Sequence, residues 1–68
     1  MKLATFTTPD GATHIGALLA GGQRLADLTA SAPDPAFADM LALIDGGPAA
    51  LERARAVVAQ PKVVHDLA

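Results

Sequence analysis

The order of apolar and polar positions divides the chain near residue 29 into a strand-like half and a helix-like half. Lys2 to Thr8 carries Thr5, Phe6, Thr7 and Thr8, residue types that suit a pleated surface, and runs into Pro9-Asp10-Gly11, which is turn chemistry. Thr13 to Leu19 continues with Ile15 and Leu18 before Gly21-Gly22, and Gln23 to Leu28 adds Leu25 and Leu28. The pattern predicts three strands, at about 2–8, 13–19 and 23–28, joined by tight turns into an antiparallel meander.

Beyond Thr29 the period changes. Ala32-Pro33-Asp34-Pro35 breaks a strand and starts a helix, with Asp34 as N-cap and Pro35 in the first turn. Phe37, Met40, Leu41 and Ile44 then fall at i, i+3, i+4 and i+7, one helical face, with Asp39 and Asp45 outside the stripe. Gly46 or Gly47 ends this element, and Pro48 opens another with Leu51, Ala54 and Val58 on one side. Two helices at about 35–45 and 48–59 are expected to pack on the sheet, giving a small α+β domain over 1–61. The expected core is Leu3, Phe6, Ile15, Leu18, Leu25, Leu28, Phe37, Leu41, Ile44, Leu51 and Val58. Val63, Val64 and Leu67 make 62–68 an extended apolar segment, read as a linker or first strand toward a further domain.

Composition narrows the function classes. A single domain is the ceiling for 68 residues, and much of the apolar fraction is alanine, so large core anchors are few. Cysteine is absent, which leaves a partner surface as the remedy for a thin stability margin and fits a cytoplasmic location. No apolar run approaches the roughly 18 residues of a membrane span. The net charge is −2 and the basic residues Lys2, Arg24, Arg53, Arg55 and Lys62 are scattered, so neither a membrane nor a nucleic acid is an expected partner.

The candidate chemistry is sparse. Glu52 is the one glutamate, on a predicted helix among arginines, where a solvated role suffices. The aspartates mostly occupy turns and caps; Asp27 stands apart because it sits within a strand pattern and could bond nearby turn amides. Ser31 lies in the proline-rich connection without a nucleophile elbow. His14, in the second strand, reads as a surface side chain, and His65, in the final segment, as a packing or interface residue. Gly11, Gly16, Gly21 and Gly22 match neither the dinucleotide fingerprint nor the P-loop. No catalytic, cofactor-binding or metal-ligating residue is expected.

Taken in order, Met1-Lys2-Leu3-Ala4-Thr5-Phe6, Ile15-Gly16, Leu25-Ala26-Asp27-Leu28-Thr29, Asp39-Met40-Leu41-Ala42-Leu43-Ile44 and Gly47-Pro48-Ala49-Ala50-Leu51 resemble the N-terminal accessory domain of the fumarylacetoacetate hydrolase family. The resemblance covers nearly the whole chain. It implies a non-catalytic leader packed on a larger catalytic domain, in the same or a separate chain, that binds Mg²⁺ or Mn²⁺ and acts on 2-oxo acid or acylpyruvate-type substrates. None of that domain's metal-binding carboxylates maps onto this sequence, and the reaction, whether hydrolysis, isomerisation or decarboxylation, is not identified by the leader. A homo-oligomer is expected. The alternative is a free-standing protein–protein interaction module using the same apolar surface, and a small autonomous enzyme is the third reading.

Overall fold

The computed structural model describes residues 2–66. Met1, which opens the first motif of the resemblance, and Leu67 and Ala68 of the expected extended segment lie outside the described residues.

The fold is α+β, with a four-stranded antiparallel sheet and its strands in sequence order. Strand β1 (Lys2–Thr7) pairs with β2 (Thr13–Leu18) from Lys2 opposite Leu18 to Thr7 opposite Thr13. The turn between them is built as the sequence predicts. Gly11 sits at φ +87°, its N–H donates to the Thr8 carbonyl at 2.9 Å, and the Asp10 carboxylate accepts from the Thr8 hydroxyl and the Ala12 N–H.

Strand β3 (Arg24–Asp27) pairs with β2 and stops one residue short of the predicted boundary, because Asp27 caps a helix that begins at once. This helix, α1 (Leu28–Ser31), was not expected from the pattern of the third strand. Asp27 keeps extended backbone angles while its side chain accepts from the Ala30 N–H, so strand end and helix start share one residue. Thr29 secures the junction: its Oγ1 accepts from the Ile15 N–H at 2.9 Å and donates to the Phe37 carbonyl at 2.6 Å.

The single helix expected over 35–45 is two elements. Asp34 and Pro35 start a 3₁₀ turn at Pro35–Phe37, after which Asp39 returns to extended angles and caps α2 (Met40–Asp45), its carboxylate accepting from the Ala42 N–H at 2.7 Å. A second aspartate cap competes with helix continuation, and the restart changes the helical phase. Leu43 therefore points into the core, whereas Leu41 and Ile44, both expected inside, are 68% and 67% exposed. Helix α3 (Gly47–Ala59) follows after Gly46 and buries Ala50 and Ala54, leaving Leu51, another expected core residue, on the exposed side. Two small residues on its inner face let α3 approach closely; a Cβ on Gly46 would stand 2.5 Å from the Ala50 Cβ.

Val64–Asp66 forms β4, antiparallel to β3, so the sheet has four strands where the sequence pattern predicts three. Its approach is held by backbone and side chain together. The Asp27 N–H donates to the Val63 carbonyl at 2.9 Å, and the Val63 N–H donates to Ser31 Oγ at 3.0 Å.

Strand alternation sorts the sheet into two faces. Ile15, with Leu3 packed beside it, meets Leu28, Phe37, Leu43, Ala50 and Ala54 in the one core cluster among the described residues. The opposite face carries Phe6, His14, Gly16, Leu25, Asp27 and His65. Phe6 lies across it over Gly16, where an added Cβ would stand 3.0 Å from Phe6 Cε1 and 2.5 Å from the Ala26 carbonyl oxygen. Phe6 and Leu25, expected in a single core, thus belong to this second apolar layer.

Candidate functional site

Three ionisable residues meet on that second face. Asp27 sits at the end of β3, His14 on β2 and His65 on β4, and the registers place both histidines beside the aspartate on the same side of the sheet. The His14 Nδ1 lies 2.8 Å from Asp27 Oδ2 and the His65 Nε2 lies 2.9 Å from the same oxygen. Oδ1 accepts from the Ala30 N–H at 3.0 Å. Asp27 is 1% exposed, and a buried carboxylate needs such donors to stay charged.

The electrostatics follow from that geometry. Burial pushes the Asp27 carboxyl up, but the hydrogen bonds from His65, the Ala30 N–H and His14 outweigh it and hold the group below the ordinary aspartate range. An ionised carboxylate only accepts, so each imidazole donates, His14 through Nδ1–H and His65 through Nε2–H. This fixes both tautomers and leaves Nε2 of His14 and Nδ1 of His65 as the ring nitrogens outside the cluster. Phe6 places its ring edgewise to both, at centroid distances of 5.9 Å from His14 and 5.6 Å from His65.

The sequence treats these residues separately, and the fold assembles them. His14 is a half-buried partner of Asp27, not a free surface side chain. Asp27 does bond a turn amide, as its position suggests, and it also accepts from both histidines. Ser31 lies in α1, not in an open connection, and is tied to the Val63 N–H. Glu52 is exposed and faces Arg55 at 3.4 Å along one helix turn. Asp34 combines its predicted cap with an ion pair to Arg53 Nε at 2.7 Å. The clue to the assembly was an acid inside a strand pattern, with a histidine on each of two other extended segments.

Among the described residues, no group of three or more histidine, cysteine, aspartate or glutamate side chains is placed to hold a metal ion. Asp27, His14 and His65 are bonded to each other through one shared oxygen. A set of two imidazoles and one carboxylate also fails to fit the all-oxygen coordination that Mg²⁺ prefers.

Among the described residues, two of the clefts bear on this face or its edge. One of about 290 Å³, lined by Ala20, Gly21, Gln23, Arg24 and Asp66, lies at the β2–β3 turn, away from the cluster. The other, of about 270 Å³, is bounded by Phe6, Thr7, Thr8, Pro9, Leu25 and His65, and so touches the cluster directly. The second carries the more specific chemistry despite its smaller volume, because one wall is an imidazole whose orientation a buried carboxylate fixes. No helix among the described residues is long and apolar enough to cross a membrane.

Comparison of the chain with protein-family models, with curated proteins and with solved structures finds no match in any of the three.

Proposed function

We propose that this chain is the N-terminal accessory domain of a fumarylacetoacetate hydrolase family enzyme, non-catalytic by itself. Its partner would be a metal-dependent catalytic domain acting on 2-oxo acid or acylpyruvate-type substrates. The observation that carries this reading is the outward placement of Leu41 and Ile44, at 68% and 67% exposure. Both belong to the Met40-Leu41-Ala42-Leu43-Ile44 segment on which the resemblance rests, yet of its two leucines only Leu43 enters this chain's own core. Large apolar side chains side by side on one helix are suited to burial against another surface.

Two further motif residues have structural work within the chain. Asp27 caps α1 and holds two histidines, and Thr29 links β2 to the 3₁₀ turn. Their engagement there supports a scaffolding role for the Leu25-Ala26-Asp27-Leu28-Thr29 motif. The cytoplasmic location and the homo-oligomeric state are part of the same proposal.

The test is the intact mass of the gene product in its native cell, with assays for acylpyruvate hydrolysis and oxaloacetate decarboxylation with Mg²⁺. A longer polypeptide, active where the 68-residue chain is inactive, is the expected result. Turnover by the short chain alone would overturn the proposal. The second reading, a free-standing interaction module, uses the same two side chains against a separate protein and requires a native product of 68 residues.

A further inference from the structure

The cleft beside His65 has three properties that together define a ligand. Phe6, Pro9 and Leu25 make its walls apolar, and an aromatic and a proline ring suit a flat apolar body. Its volume of about 270 Å³ falls just below the roughly 300–1,000 Å³ of pockets that hold drug-sized molecules, which suits a small occupant such as a single ring. Its polar lining is Thr7, Thr8 and His65, and the His65 side chain is 38% exposed and therefore reachable.

The hydrogen-bonding sense of that side chain is set from behind. Because Nε2–H is donated to Asp27 at 2.9 Å, Nδ1 is the ring nitrogen left to a ligand, and in the neutral form of the ring it carries a lone pair. A ligand that bonds Nδ1 in that form must bring a donor. To the neutral ring a carboxylate would present its own charge against the Nδ1 lone pair and the charge of Asp27 behind it, so that form disfavours anions.

We infer that this cleft binds a small aromatic alcohol, a phenol, with its ring between Phe6, Pro9 and Leu25 and its hydroxyl donating to His65 Nδ1. Asp27 acts here as a positioning residue that holds the imidazole as an acceptor, and Phe6, lying over Gly16, serves as a wall. The inference is independent of the proposed accessory role, since it uses the sheet face and not the α2 surface.

The experiment is an NMR titration of the full chain with phenol, anisole and benzoate near neutral pH. Phenol should shift the resonances of His65, Phe6 and Leu25 and bind roughly tenfold more tightly than anisole, the expected worth of one hydrogen bond. Benzoate should bind more weakly than phenol. His65→Phe keeps the apolar wall and should equalise phenol and anisole. If that variant does not fold, the wild-type titrations decide alone: equal affinity for phenol and anisole, tighter binding of benzoate, or shifts located elsewhere would each overturn the inference.

Discussion

His65 donates its Nε2–H to Asp27 Oδ2 across 38 positions of sequence, at 2.9 Å, onto a carboxylate that also caps α1. One buried side chain thereby joins β2, β3, β4 and α1, and its removal should be felt in all four.

Asp27→Ala deletes the helix cap and leaves two half-buried imidazole donors without their acceptor. The expected loss is about 2–4 kcal/mol, combining a cap of about 1 kcal/mol with unsatisfied donors of about 1–3 kcal/mol. Urea unfolding of variant and parent measures it, and a change below about 1 kcal/mol would contradict the hub role.

The same carboxyl makes a pH prediction. Its folded-state pKa lies below the ordinary aspartate value, with burial opposing and the His65, Ala30 and His14 hydrogen bonds prevailing. Folding is thus favoured by the ionised form. The stabilisation is complete above the unfolded value of about 4 and disappears as pH falls through the lower folded value. Unfolding free energy followed downward from about pH 5 should fall more steeply for the parent than for Asp27→Ala.

Gly16→Ala tests the close seat of Phe6 over Gly16. The new Cβ would stand 2.5 Å from the Ala26 backbone oxygen, which cannot move without disturbing the β2–β3 pairing. A destabilisation of about 1–3 kcal/mol is expected, with altered Phe6 and His65 proton shifts in NMR spectra.

Leu43→Ala and Leu41→Ser should separate core from surface on the same helix. Leu43 is 1% exposed, and its truncation should cost about 2–5 kcal/mol. Leu41 is 68% exposed, and its replacement should change stability by less than about 0.5 kcal/mol. Equal losses in thermal unfolding would contradict the assigned helix phase.

Ser31→Ala removes the acceptor of the Val63 N–H at 3.0 Å. Local opening of β4 should become easier by about 1–2 kcal/mol, read as faster amide hydrogen exchange at Val63 relative to Ile15.

The chain's own residues state its class. The Pro9-Asp10-Gly11 turn, the Asp34-Pro35 start and the change from strand-like to helix-like spacing near residue 29 are local signals, and the α+β arrangement follows from them. Such signals survive because a turn or a cap is decided by hydrogen bonds between residues two to four apart. The apolar spacing predicts the wrong phase for α2 for a local reason as well: Asp39 has the chemistry of a cap, but the spacing running through it points to an unbroken helix.

The assembly of His14, Asp27 and His65 could not be read in that way. Its members belong to three strands, and only the β2–β3 and β3–β4 registers decide that they share a face; a slip of one residue would send any of them to the other side. The sequence by itself determined the kinds of elements and most of the turns between them. The tertiary structure alone decided which side chains are buried together, because strand pairing and helix phase depend on contacts between segments that local spacing does not encode.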